Sequence, residues 1–263
     1  MSTEQPSIVL YDIPRNVPAG QGGSGWSPNT LKSRIALNYK GIPFTTEWVE
    51  YPDIAPKFKA LGLAPNPEGT PYTAPVIRYT PPGSKEGQYT MDSSAIADFL
   101  DRTFPARALY RGSPQSQRAQ REFRDLIQPC AYVRFRAFVL HGVASQLHPV
   151  SEAYFRGYLV PVYGPLDQLL TPRAKYDEAL AHVVEGFNSL SEFVDREEAA
   201  GNEVLYAPDE EGVRAPTYAG MVFTGVLEWL HRAGGQEAWE DIINLNGGRW
   251  AQLWKAVEPY ARD

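Results

Sequence analysis

The sequence predicts a small α/β domain followed by an all-α domain, and three observations carry that reading. Short apolar runs of strand character alternate with helical patterns through the first hundred or so residues. After Pro105 the strand-like runs cease and long helical patterns fill the rest of the chain. Between the two regimes lies "PARALYRGSP", residues 105–114, which reads as a linker. The expected domains are therefore residues 1–105 and 114–263, joined by 106–113.

The elements follow in order. "SIVLYDI" (7–13) is an apolar strand. Residues 28–40 form a helix, because Leu31, Ile35 and Tyr39 recur four apart on one face and Gly41 stops it. "TTEWVEY" (45–51) is β-branched and aromatic, hence a second strand, and 53–62 is a short helix. "YTAPVIRY" (72–79) is a strand with a proline inside, which marks an edge or a special bend. "GQYTM" (87–91) is a short strand, and "DSSAIADFLDRTF" (92–104) a helix with Ile96, Phe99 and Leu100 inward. Ser113-Pro114 and Thr171-Pro172 each read as an N-cap followed by proline at the first helical position. Helices are expected over 114–141, 151–170, 172–200, 217–232 and 236–259, with no second set of strands.

Composition excludes several classes. Across 263 residues, 43% are hydrophobic, 21% are charged and the net charge is -6. No basic block offers a footprint for nucleic acid. No apolar run reaches bilayer length, and "MSTEQPS" lacks the apolar centre of a signal peptide. Cys130 is the sole cysteine, so an internal disulfide is impossible and a reducing, cytoplasmic setting is expected. It follows Pro129 in a helical pattern and reads as a small buried hydrophobe. His141, His148, His182 and His231 show no metal-binding spacing, so no metal is expected. Phe123, Tyr132, Phe135 and Phe138 read first as core residues, and Arg134 and Arg136 as solvated or at the domain junction.

The glycine-rich stretch "AGQGGSGWSPNTLKSRIAL" (19–37) contains a literal G-x-G-x-x-G. A dinucleotide fingerprint needs its first glycine at the turn leaving the strand, whereas "PRNVPA" intervenes here. Pro28 belongs in a first helical turn, so the helix starts after the last glycine and Ser27 is its N-cap. Glu47 and Glu50 stand about where a ribose-binding acid would fall, and a nucleotide-dependent enzyme, resting on the glycine loop alone, is a third reading. A P-loop is ruled out by the missing lysine. Ser27 is either a plain cap or a hydroxyl poised, beside free N–H groups, to stabilise an anion.

"KGIPFTTEWVEY", "NPEG" (66–69), "TAPVI" (73–77) and "DSSAIADFLDRTFP" (92–105) stand in the order and spacing of a cytosolic glutathione transferase, and the sequence resembles that superfamily along most of its length. "WSPNTLKSRIALNYKGIPF" is most similar to the fungal etherase-related, FuA-type serine class. The resemblance implies a thioredoxin-like domain, a helical domain, a homodimer and bound glutathione. It places Ser27 at the position of the catalytic Ser or Cys, and Pro75 at that of the cis-proline. Ala74 would pair its backbone with the cysteinyl part of glutathione, and Asp92 and Ser93 would hold the γ-glutamyl end. The chemistry is consistent: Asp92 can pair with an ammonium, and Ser93 at a helix start can donate to a carboxylate.

Three departures stand out. The glycine-rich insertion makes Ser24 a rival hydroxyl, and "NPEGTPYTAP" carries extra residues. In "APTYAGMVF", Gly220 replaces the family's usual Asp, which should weaken the start of that helix. The implied activity is attack of a glutathione thiolate, stabilised by Ser27, on apolar or aromatic electrophiles or aryl ethers. The alternative is a low-turnover carrier of aromatic compounds. By the family's layout the aromatic ligand lies between the domains, near Ser27 and the helix beginning at Ser113.

Overall fold

In the computed structural model, which describes residues 6–16 and 25–262, β1 (Ser7–Asp12) is an inner strand with Ile8, Leu10 and Tyr11 buried. It pairs in parallel with β2 (Thr45–Trp48) and antiparallel with β3 (Val76–Thr80), and β3 pairs antiparallel with β4 (Gln88–Met91). The order β2-β1-β3-β4 is flanked by α1 (Pro28–Lys40), α2 (Ile54–Ala60) and α3 (Ser93–Thr103). This is the expected thioredoxin-like half. β2 is shorter than "TTEWVEY" suggested: Pro52 lacks an N–H, and Tyr51–Asp53 turn into a single 3-10 turn.

Seven helices follow: α4 (Pro114–Ile127), α5 (Arg136–Gln146), α6 (Pro149–Tyr163), α7 (Arg173–Ala199), α8 (Tyr218–Ala233), α9 (Gln236–Ile243) and α10 (Arg249–Val257). Ser113 caps α4, accepting a bond from the Ser116 N–H at 3.1 Å. Two predicted long helices are broken, each by a local cause. Pro129 cannot donate within the ladder, and a π-turn over Gln128–Tyr132 separates α4 from α5, closed by Val133 N–H on the Gln128 carbonyl. Gly247, at φ 69°, separates α9 from α10. At Thr171-Pro172 the bond is cis and α7 starts at Arg173, so Thr171 is not its cap. A short ribbon, β5 (Tyr206–Pro208) with β6 (Arg214–Pro216), stands where no strands were expected. Asp209 closes its turn, and the Arg214 guanidinium lies 3.7 Å from the Tyr206 ring centroid.

α8 is the central helix, buried over nearly its whole length. It packs against the start of α1 at Gly225, where a Cβ would already lie 3.4 Å from the Pro28 carbonyl. The Thr217 hydroxyl caps α8, accepting from the Gly220 N–H at 3.2 Å and donating to the Val204 carbonyl at 2.6 Å. A Cβ on Gly220 would sit 2.8 Å from the Leu205 carbonyl, so the residue is glycine for want of room. Restoring the acid with Gly220→Asp is therefore expected to destabilise by about 1–3 kcal/mol, the range for overpacking, rather than to strengthen the cap. Urea unfolding checks this, and a raised midpoint would contradict it. Phe123, Phe135, Phe138 and Cys130 are core residues as expected, whereas Tyr132 faces a cavity.

Candidate active site

The chain leaves β1, and after residues 17–24, which lie outside the described structure together with Ser24, it re-enters at Gly25. Arg232 of α8 holds that re-entry point, donating to the Gly25 carbonyl. Arg232 is fixed in turn by Glu228, at 2.9 Å. Burial alone would raise the Glu228 pKa, but His231, Arg232 and Trp254 outweigh it and bring it down to about 2. Ser27 then occupies the N-cap of α1 with extended dihedrals (φ -66°, ψ 126°). Its carbonyl accepts the Leu31 N–H at 2.9 Å and the Thr30 hydroxyl at 3.1 Å, but its own hydroxyl makes no cap bond. Ser27 is 5% exposed and lines a cavity of about 410 Å³. A plain cap would spend Oγ on the helix N–H groups, and this one does not.

Ala74-Pro75 is cis. Among the described residues neither the N–H nor the C=O of Ala74 is engaged by another group, because the ladder with β1 begins at Val76. A buried backbone pair left open at the end of a strand can take an extended peptide. Asp92 lies alongside: its N–H reaches the Pro75 carbonyl at 3.3 Å, and Val76 pairs with Met91. It caps α3 through Oδ1, which accepts from Ser94 N–H at 2.8 Å and Ala95 N–H at 3.0 Å. Its φ of 84° is a strained value for a residue with a side chain. Ser93 is buried, and its carbonyl accepts the Tyr218 hydroxyl at 2.9 Å, fastening α3 to α8.

Three further residues complete this corner. Lys32, one turn beyond Ser27 on α1, donates to the Asn29 Oδ1 at 3.0 Å. Burial pushes its pKa down to about 8, against the pull of the nearby Asp92 carboxylate, and Arg124 lowers it further. The Tyr132 ring packs on Trp229 at 4.9 Å, and burial pushes the Tyr132 pKa up. Sequence reasoning missed Lys32, Asn29 and Trp229, since an amide and a lysine on a helix carry no motif of their own.

The 410 Å³ cavity lies between the halves. Its walls are Trp26, Ser27 and Asn29 from the first half, Tyr51 from the turn after β2, and Tyr132, Arg136, Leu140 and Trp229 from α5, α8 and the π-turn. α6 supplies the outer wall with Tyr154, Phe155, Tyr158 and Val162, and Tyr158 is 71% exposed at the mouth. The helical-side wall is thus the π-turn, α5, α6 and α8, not the start of α4. Glu50 ties α6 to the first half through the His148 ring at 2.7 Å and the Ser151 hydroxyl, while Glu47 pairs with Lys57. Both acids that suggested a ribose site are thus engaged elsewhere, and the glycines at 20, 22 and 23 are not described. Among the described residues no cluster of three or more His, Cys, Asp or Glu is placed to hold a metal, and no helix is long and apolar enough to cross a membrane.

Residues 26–103 match the family model of the glutathione S-transferase N-terminal domain, and 119–260 match that of its C-terminal domain. The chain belongs to the glutathione S-transferase family. It is 31% identical over 260 residues to the glutathione S-transferase-like protein ustS of Aspergillus flavus, covering 97% of this chain and 91% of that protein. A glutathione S-transferase of Ceriporiopsis subvermispora, solved in complex with glutathione, is 31% identical with a TM-score of 0.79 over 97% of both chains. Glutathione transferase GSTFuA3 of Phanerochaete chrysosporium is 29% identical with a TM-score of 0.77 over 98% of both chains. The resemblance to the fungal FuA-type class is therefore borne out, as is the two-part fold.

Proposed function

We propose that this glutathione S-transferase binds glutathione along Ala74, Pro75, Asp92 and Ser93, and uses its thiolate, stabilised by Ser27, against aromatic electrophiles or aryl ethers. The observation that carries the reading is the uncommitted Ser27 hydroxyl, at a helix N-terminus and on the wall of an aromatic cavity. The open Ala74 peptide groups would take the cysteinyl backbone, Asp92 the γ-glutamyl ammonium, and Ser93 its carboxylate. The Ser27 hydroxyl and the positive end of α1 would favour the ionised sulfur, which is far the better nucleophile. The sulfur attacks an electrophilic carbon, its new C–S bond forming as the leaving group departs with its electron pair; in an aryl ether that group is a phenolate.

Titration calorimetry with glutathione, then steady-state turnover with a panel of aromatic electrophiles and aryl ethers, tests the reading. Absence of glutathione binding would overturn it. Binding of aromatic compounds with negligible turnover would favour the second reading, a carrier of aromatic ligands, which the breadth and exposure of the α6 wall support. The proposed assembly is a homodimer in the cytoplasm, the first domain of one subunit against the helical domain of its partner. Light scattering at micromolar concentration is expected to give twice the 29.3 kDa chain mass, and a monomer would refute it.

A further inference from the structure

We propose that the cavity selects aromatic substrates bearing an anionic group, such as a carboxylate, and that Arg136 receives that group. The inference rests on the transferase reading of the same site and adds the charge of the second substrate to it.

Arg136 is the one charged side chain among the described residues that line the cavity; the other walls are aromatic or aliphatic, apart from the Ser27 hydroxyl and the Asn29 amide. Its guanidinium carries five N–H donors. One of them meets the Tyr163 hydroxyl at 2.8 Å, and the group lies 5.8 Å from the Tyr132 ring centroid. Neither partner carries a compensating charge. No Asp or Glu among the described residues forms an ion pair with Arg136, and the 17–24 stretch contains no acidic residue. Glu50, next in sequence to the cavity-lining Tyr51, is engaged by His148 and Ser151.

Several other arginines keep a carboxylate partner, and the buried Arg111 donates instead to the Ala108, Ala215 and Pro216 carbonyls. Arg34 pairs with Asp12, Arg232 with Glu228, Arg249 with Asp195, and Arg134 with Glu185. A half-buried cation set among rings without a counter-ion is costly unless something supplies the charge. The tyrosine hydroxyl and the ring hold the guanidinium in place and leave its remaining donors for a ligand. The fork of N–H groups matches a carboxylate in bidentate fashion, and the surrounding rings fit a planar aromatic body.

The test uses two fluorescent probes on the full chain at saturating glutathione: 8-anilinonaphthalene-1-sulfonate, and N-phenyl-1-naphthylamine, which has the same skeleton without the sulfonate. The wild type is expected to bind the anionic probe about tenfold or more tightly than the neutral one, a preference that shrinks as salt is raised. Arg136→Met is expected to abolish the preference while changing the affinity of the neutral probe by less than about threefold, and Arg136→Lys to keep part of it, a point charge without the fork. Equal binding of the two probes by the wild type overturns the proposal, as does a preference that survives in Arg136→Met. If Arg136→Met instead weakens glutathione binding by calorimetry, the guanidinium serves glutathione and the proposal falls. If Arg136→Met does not fold, the wild-type and Arg136→Lys comparisons still decide. Failure of the wild type to bind glutathione is read separately: it removes the transferase reading, while an Arg136-dependent preference measured without glutathione would still establish the anion site.

Discussion

Ser27→Ala is expected to cut turnover by about ten- to a hundredfold and to raise the pKa of the bound thiol, while leaving the affinity for glutathione little changed. The reason is the division of labour proposed for the site. Ala74, Asp92 and Ser93 would hold the peptide and γ-glutamyl parts of the tripeptide, and Ser27 would touch only the sulfur, chiefly in its charged form. A hydrogen bond to a charge contributes about 1.5–3 kcal/mol against about 1 for a neutral pair, and each 1.4 kcal/mol or so is a factor of ten in rate. The Ser27 hydroxyl is available for that bond because it caps nothing. The sign of the pH effect follows. Losing a donor to the thiolate raises the thiol pKa, so activity in Ser27→Ala should need a higher pH to appear, and the gap to wild type should narrow as pH rises. Thiolate absorbance of the glutathione complex against pH, beside steady-state rates, measures both. Ser24→Ala is expected to change little, and Ser27→Cys to shift activity toward thiol exchange through a mixed disulfide. Full activity in Ser27→Ala with loss in Ser24→Ala would move the assignment into the glycine loop. No effect from either would return Ser27 to the role of helix start, with the N–H groups of α1 stabilising the sulfur.

Much of this arrangement is legible in the sequence, and the parts that are not share a physical cause. β1 to β4, α1, α3 and the cap at Ser113 announce themselves because period, proline and capping chemistry are local. The π-turn at Gln128–Tyr132 was missed although Pro129 was in view, because a proline in a strongly helical context can be absorbed by one wider turn instead of ending the helix. Gly220 looked like a defect in a cap; only the packing of the Leu205 carbonyl against it reveals a steric requirement. The proposed site divides the same way. Ser27, Ala74, Pro75, Asp92 and Ser93 could be named from motif order, whereas Asn29, Lys32, Tyr51 and Trp229 come together from separate elements and carry no motif. Tyr132 and Arg136 were visible as residues, but nothing in a helical pattern says which side faces a cavity when a π-turn ending at Tyr132 separates α4 from α5.

Asp12→Ala is expected to destabilise the protein by about 3–5 kcal/mol, the cost of breaking a buried ion pair from one side. Asp12 ends β1 and Arg34 lies on α1, and both side chains are wholly buried. Asp12 Oδ2 accepts from Arg34 Nη2 at 2.8 Å and Nε at 3.3 Å, while Oδ1 accepts from the Ile13 N–H at 2.7 Å. The guanidinium also donates to the Thr46 hydroxyl at 3.1 Å and sits 5.5 Å and 5.4 Å from the Phe44 and Trp48 ring centroids. Alanine would take away the Asp12 carboxylate and leave the buried guanidinium without that opposite charge. Against a total of about 5–15 kcal/mol for a typical domain, that is a large fraction. Asp12→Asn keeps the shape and an acceptor but not the charge, so it should fall between wild type and alanine. The double change Asp12→Leu with Arg34→Met removes both charges and should recover much of the loss, because a buried pair pays heavily for desolvation. Urea midpoints across the four proteins decide the matter. A loss below about 1 kcal/mol in Asp12→Ala would mean that water reaches Arg34 once the carboxylate is gone. A double variant no better than the single would mean that the pair fixes the angle between β1 and α1, and with it the start of the helix that carries Ser27.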